Sequence, residues 1–275
     1  MYLSIDIGGT KTLLALFTPH GICLKSLKFP TDHATTAYTE SLYNKLKSFI
    51  PNQFIRRHVR AVTVAIPGVV KYESNSYSFQ LGNLDWPNID LVAPIKKLFN
   101  CKIFFLNDAD LATLYEANRS NCKSGKSIYL TFSTGIGGGI AKNGKLLKTS
   151  SAFEPGHIKY KYQNHLLEWE DIASAKALVS FYNCSSVKDI TLSDDTISDL
   201  VERTSLGLLD IIKQESPDTI IFGGPIGLIF NKLKGPLTDK VKSELDSCPK
   251  LQRAHRPTEA VIYGAYLYSK QNYRK

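Results

Sequence analysis

The chain has 275 residues, enough for one large or two ordinary domains, and its 43% hydrophobic content can build a substantial core. No apolar run is long enough to span a membrane, and the acidic residue and glycines of the first ten positions do not make a signal peptide, so a cytoplasmic protein is expected. The net charge of +9 is spread along the chain, with no helix-turn-helix before the first strand and no RNA-binding aromatic motif, so nucleic acid is not an expected partner.

In chain order, residues 2–5 form a short apolar β-type run. The segment Asp6-Ile7-Gly8-Gly9-Thr10-Lys11-Thr12 follows as a glycine-rich turn, and residues 13–18 read as the returning strand. A third run covers 22–29 after the Pro19-His20-Gly21 turn. Tyr38, Leu42, Leu46 and Phe49 share one face of a helix expected over 36–49, which Pro51 ends. Residues 61–66 read as a buried strand stopped by Pro67-Gly68, and a loop-rich stretch runs to Pro87. A short helix over 91–99 and a strand over 102–106 follow. Asn107-Asp108 end that strand, and a helix is expected over 109–118.

The second half restarts the pattern. A strand over 127–132 leads into Ser133-Thr134-Gly135-Ile136-Gly137-Gly138-Gly139, read as a second glycine-rich turn, with Ile140 and Ala141 in the next strand. Helices are expected over 169–182 and 195–214. A strand over 219–222 ends in Gly223-Gly224-Pro225, and a last helix covers 258–271. The reading is α/β, with two halves that each open on strand, glycine turn and strand.

A turn without Cβ atoms lets backbone N–H groups approach an anion, so two such turns suggest two cradles for one polyphosphate. They are not P-loops or dinucleotide fingerprints, because a strand rather than a helix follows each, and Lys11 comes too soon after Gly9. Asp6, Pro67-Gly68, Asn107-Asp108, Thr134-Gly135 and Gly223-Gly224 all fall at strand ends, where ligands bind in such sheets, and are expected to line one cleft.

The motifs D-I-G-G-T-K, L-N-D-A at 106–109, S-T-G-I-G-G-G at 133–139, E-P-G-H at 154–157 and I-F-G-G at 221–224 occur in that order across nearly the whole chain. As an ordered set they resemble the ROK family (repressors, open reading frames and sugar kinases) of the actin-like ATPase superfamily. The resemblance implies two ribonuclease-H-like domains with a central cleft: 1–108 with the C-terminal helix of about 258–275 packed back on it, and 109–257. It implies ATP-dependent phosphorylation of a hexose hydroxyl, with ATP and Mg²⁺ bound and homodimers frequent. Glucose converted to glucose 6-phosphate is the leading expectation. N-acetylmannosamine, N-acetylglucosamine or another hexose, and polyphosphate as donor, remain alternatives. A non-catalytic sugar-binding regulator, or a degenerate kinase fold with a structural role, would be a different class of function.

Carried over residue by residue, the resemblance implies Asp108 as general base, since a sugar hydroxyl must lose its proton as it attacks phosphorus. The residue types alone leave open an Asp108 N-cap for the following helix. Asp6 would orient Mg²⁺, directly or through water, or else be a solvated turn residue. Gly8, Gly9, Thr10 and Lys11 would meet the β- and γ-phosphates from one side, Thr134 and Gly135 from the other, and Gly223 and Gly224 the adenosine side. Glu154, His157 and Glu170 would bind sugar hydroxyls, with Asn83 and Asn107 as further candidates and Glu168 as a rival to Glu170.

One departure stands out. Many family members carry a cysteine-rich zinc hairpin between E-x-G-H and the last glutamate, whose metal the histidine helps to hold. Here residues 158–169 contain no cysteine, and the five cysteines of the chain are scattered without a C-x-x-C pair, so no zinc is expected. The loop should then be ordered by packing of Tyr160, Tyr162, Leu166, Leu167 and Trp169.

Overall fold

Two five-stranded sheets of the same connectivity organise the computed structural model, which describes residues 1–73, 76–81, 84–86, 88–119, 123–147 and 153–274. The chain divides into two units. One comprises Met1–Ala112 with Val261–Lys275, the other Thr113–Ala260.

In the first unit, β1 (Tyr2–Ile7), β2 (Lys11–Phe17) and β3 (Cys23–Pro30) form an antiparallel meander. α1 (Thr35–Phe49) and the single-turn α2 (Gln53–Arg57) lead to β4 (Ala61–Ile66), which pairs in parallel with β1. The run Ala-Val-Thr-Val-Ala-Ile is buried throughout, as a central strand covered on both faces must be. β5 (Val69–Glu73) and β6 (Ser76–Gln80) form a hairpin, α3 (Val92–Lys96) follows, and β7 (Lys102–Asn107) joins β4 in parallel at the sheet edge. The order is β3-β2-β1-β4-β7.

Alternation along β1 sorts its side chains. Leu3, Ile5 and Ile7 pack with the apolar stripe of α1, namely Tyr38, Leu42, Leu46 and Phe49. Tyr2 faces the other way, onto Ile262 and Tyr266 of the last helix, and Asp6 shares its parity. On that same face Ala65 of β4 packs with Leu111 and Ala265.

In the second unit, α4 (Asp108–Ala117) begins within the first unit and ends here. β8 (Lys126–Phe132), β9 (Ile136–Lys142) and β10 (Lys145–Leu146) repeat the antiparallel meander. A 3₁₀ turn at Pro155–His157 precedes the hairpin β11 (Lys159–Tyr162) and β12 (His165–Glu168). Then come α5 (Trp169–Ala173), α6 (Ala175–Phe181), α7 (Asp194–Glu215), β13 (Thr219–Gly223), α8 (Ile226–Glu244) and β14 (Lys250–Arg253). The sheet order is β10-β9-β8-β13-β14, with β13 parallel to both of its neighbours. The last helix, α9 (Ala260–Asn272), packs in the first unit, where the position of a Cβ on Gly264 would lie 1.8 Å from the Leu111 carbonyl oxygen.

Four local expectations are corrected. Gly137, Gly138 and Gly139 lie in β9, paired with Thr131, Leu130 and Tyr129, so the turn is only Ser133-Thr134-Gly135. The strand needs a glycine at 138 because Phe153 packs where its side chain would be, 2.6 Å from a Cβ. The helix expected over 169–182 is two helices, because Ser174 is extended (ψ 157°) and caps α6 by accepting from the Ala177 N–H at 3.1 Å. The loop-rich stretch contains the β5–β6 hairpin. The segment after the 3₁₀ turn is also a hairpin, in which Leu166 is 69% exposed, while Trp169, which follows it at the start of α5, is fully buried.

Candidate active site

In the first unit, the β1–β2 turn has a two-residue tip. Ile7 pairs with Thr12, and the Gly8 N–H donates to the Lys11 carbonyl at 3.0 Å, leaving Gly9 and Thr10 at the apex. The Thr31 N–H holds the tip by donating to the Thr10 carbonyl at 3.1 Å. Behind it lies a buried polar cluster in which the Thr12 hydroxyl meets the Thr31 hydroxyl at 2.9 Å and the Tyr38 hydroxyl at 2.8 Å.

Asp6 precedes this turn and is registered against Ala65 of β4, which is registered against Leu106 of β7. Asp108 begins α4 two residues later, so Asp6 and Asp108 leave the backbone at the same end of the sheet, on strands separated by β4. Burial pushes the Asp6 carboxyl up to about 7, with the charge of Asp108 adding to the rise and Lys28 opposing it.

Asn107 fixes the start of α4. Its side-chain oxygen accepts from the N–H groups of Ala109 (2.8 Å) and Asp110 (3.2 Å), and its amide nitrogen donates to the Gly68 carbonyl at 2.9 Å. The helix cap is therefore Asn107, while the Asp108 carboxylate accepts from the adjacent Ala109 N–H at 2.8 Å.

The second unit gathers its charged residues around Trp169. This ring is fully buried, stands edge-on to Phe132 at 5.5 Å, and donates from Nε1 to the Arg203 carbonyl at 3.0 Å. Glu168 and Glu170 flank it. A Glu170 oxygen accepts from the Ile136 N–H at 3.2 Å. It also fills the space where a Cβ would sit on Gly135 (2.3 Å) and on Gly156 (2.8 Å). One carboxylate thus touches both the Thr134-Gly135 turn and the Glu154–His157 turn.

Nδ1 of His157 donates to Glu168 at 2.9 Å. That hydrogen bond, with the neighbouring Glu170 and Glu154 charges, holds the imidazole above its ordinary value despite some burial. Glu154 is also raised, chiefly by desolvation, with His157 opposing and Glu170 adding a smaller rise. The donor atoms of His157, Glu168 and Glu170 lie within 4.8 Å of one another, a spacing one divalent ion can span.

Gly223 and Gly224 sit where β13 meets β8. A Cβ on Gly223 would fall 2.0 Å from the Tyr129 hydroxyl, and Gly224 adopts φ 66° with its N–H donating to the Pro257 carbonyl at 2.9 Å. Packing alone therefore requires glycine at both positions.

The ROK family model matches residues 2–271. The chain belongs to the ROK family. A fructokinase from Lactococcus lactis subsp. cremoris is 30% identical over 175 residues, 62% of this chain and 57% of that protein. An N-acetylmannosamine kinase from Escherichia coli strain SE11 is 31% identical over 160 residues, 57% of this chain and 52% of its own length. The match thus spans little more than half of each of these two relatives. A ROK family glucokinase from Streptomyces griseus, solved with glucose and AMPPNP, has a TM-score of 0.77 at 19% identity, covering 98% of this chain and 99% of that one. This is a likeness of fold, and it bears out the mixed α/β, actin-like architecture.

Within this ROK chain, the first unit sets Asp6 near the end of β1 and Asp108 at the start of α4, near enough for the Asp108 charge to act on Asp6. The second unit brings Gly135, Glu154, His157, Glu168 and Glu170 together. Thr134 is exposed at its turn, and Gly223 and Gly224 lie at the end of β13, with Gly224 against the backbone of Phe132. Asn83 lies outside the described residues. Two participants escaped the sequence reading: Lys28, which faces Asp6 electrostatically, and the Thr12–Thr31–Tyr38 cluster. Nothing in a β-strand lysine or a helix tyrosine announces such neighbours. Among the described residues no helix is long and apolar enough to cross a membrane.

Proposed function

We propose that this ROK chain is an ATP-dependent hexose kinase, with glucose O6 as the leading acceptor. Fructose and the N-acetylhexosamines stay in view because the sequence relatives act on fructose and N-acetylmannosamine by name. The observation that carries the reading is the acidic pair of the first unit: Asp108 set at a capped helix start, and Asp6 two strands away with its carboxyl raised to about 7.

Asp108 is the base. As the sugar oxygen bonds to the γ-phosphorus, its proton passes to the Asp108 carboxylate, and the bond from that phosphorus to the bridging oxygen of ADP breaks. A positioned carboxylate supplies roughly 10²–10⁴-fold. Asn107 serves this step by holding the start of α4 through both ends of its amide.

Two carboxylates whose charges act on each other, with one lysine opposing, fit a divalent cation. Asp6 would hold Mg²⁺, directly or through water, and the ion would offset charge on the transferring phosphoryl group. Gly9, Thr10 and Lys11 are proposed to receive the phosphates on one side, and Thr134 and Gly135 on the other. Gly8 closes its turn. Gly223 and Gly224 are assigned to the adenosine side. Glu154, His157 and Glu170 supply directional partners for sugar hydroxyls.

The test is coupled ADP release with ATP and Mg²⁺ over common hexoses and N-acetylhexosamines, for the wild type and Asp108→Asn. Sugar-dependent turnover in the wild type, reduced at least 10²-fold in the variant with sugar binding retained, is expected. A variant that turns over like the wild type removes Asp108 as base. A wild type that binds sugar without releasing ADP is a regulator.

A further inference from the structure

We propose that Glu168 is a positioning residue for His157: its carboxylate fixes the imidazole as the Nδ1–H tautomer and leaves Nε2 as the atom that meets the substrate. The inference rests on the kinase reading for the identity of that substrate, a sugar hydroxyl, and on geometry for the rest.

Nδ1 of His157 lies 2.9 Å from Glu168 Oε2. An ionised carboxylate only accepts, so the ring nitrogen facing it must carry the proton. In the neutral ring Nε2 is then an acceptor for a hydroxyl. Without that partner, Nδ1 has no fixed role and the ring is free to turn about its side-chain bonds.

The backbone explains why these two residues meet. The β11–β12 hairpin turns on Gln163 and Asn164, both left-handed (φ 46° and 66°), and that two-residue loop registers Lys159 against Glu168. The Trp169 N–H donates to the Ile158 carbonyl at 2.9 Å, closing the open end of the hairpin beside His157. Buried Trp169 then pins the junction, so Glu168 on one side reaches the histidine and Glu170 on the other reaches the Ile136 N–H. Glu168 supplies no helix-cap hydrogen bond to α5, although it occupies the cap position. Its role toward His157 is the contact its side chain makes.

The experiment combines ¹⁵N spectroscopy of the His157 ring with sugar kinetics in Glu168→Ala, Glu168→Gln and His157→Gln. The wild-type ring is expected as Nδ1–H, reverting to the ordinary Nε2–H form in Glu168→Ala. Glu168→Gln, whose amide oxygen still accepts, should restore part of the wild-type signal. Sugar KM should rise about tenfold in Glu168→Ala with a smaller change in kcat, and Glu168→Ala should add nothing further in the His157→Gln background.

A wild-type Nε2–H ring overturns the proposal, as does a tautomer indifferent to residue 168 or a sugar KM unmoved when the tautomer shifts. Stoichiometric metal in the purified protein that is lost with Glu168 overturns it too, since a metal would then orient the ring. The spectroscopic arm needs no substrate. A wild type with the expected tautomer but no turnover on any sugar therefore counts against the kinase reading and leaves the Glu168–His157 hydrogen bond standing.

Discussion

Replacing Asp6 by Asn should make the ligand-free protein more stable at pH 8 and leave it unchanged at pH 4. Asp6 is held at about 7 against an ordinary value of 3.8, chiefly by desolvation and then by Asp108. Between those two pH values the folded chain keeps a proton that the unfolded chain has released. The native state binds more protons, so stability falls as pH rises through the window and levels off above it. The interval from 3.8 to about 7, at about 1.4 kcal/mol per tenfold in proton activity, caps the loss at about 4 kcal/mol. Asp6 retains partial contact with solvent, and screening trims the figure to about 2 kcal/mol. Asn has the same shape and no proton to lose, so this slope should vanish from the variant. Urea unfolding at pH 4, 6 and 8 reads the difference as a midpoint shift of about 1 M at the highest pH. Parallel pH profiles for the two proteins would refute the argument, because the Asp6 carboxyl would then titrate alike in folded and unfolded chains.

Lys28→Met should push Asp6 higher still, moving the declining part of the same stability profile to higher pH, because Lys28 is the charge that opposes the rise. Asn107→Ala should cost about 1–2 kcal/mol in unfolding experiments through loss of the α4 cap and the tie to Gly68, and Asn107→Asp should recover the cap portion. Gly207→Ala places a Cβ 2.3 Å from the Trp169 ring and should cost about 3 kcal/mol, with the indole fluorescence of the second unit reporting the disturbed ring. Glu116→Ala strips the acceptor from the N–H groups of His255 and Arg256, each at 2.9 Å. It should destabilise by about 3 kcal/mol, with amide exchange rising first at those two residues.

The strands and long helices were legible where period and burial agree. The α1 stripe of Tyr38, Leu42, Leu46 and Phe49 is a helix face in the sequence and a core face in the fold. The apolar run of β4 could only be a covered strand. Legibility failed where tertiary contact overrides local chemistry. Three consecutive glycines at 137–139 look like a turn, yet Phe153 and Leu130 crowd Gly138 within a strand. The periodic run 169–182 looks like one helix, yet the Ser174 hydroxyl offers the Ala177 N–H a better partner and divides it. The hairpin at β11–β12 carries neither Asn-Gly nor Asp-Gly at its turn, and Gln163 enters the left-handed region without any residue-level signal.

That last failure explains which part of the candidate site remained hidden. A carboxylate on each side of Trp169 can be read from the sequence, but what each touches depends on strand register. Lys159 opposite Glu168 sets the end of β12 beside the 3₁₀ turn that carries His157. In a two-stranded ribbon, a slip of one residue would move every side chain to the other face and carry residue 168 away from the imidazole. Trp169 prevents such a slip, since its ring fills the space left by Gly207 and its Nε1–H is bound to Arg203. The residues that fix the geometry of the charged cluster are thus an apolar ring, a helix glycine and two turn residues with positive φ. None of the four bears a group that would mark it as part of a site, so the motifs of the candidate site could be read while the contacts that orient them could not.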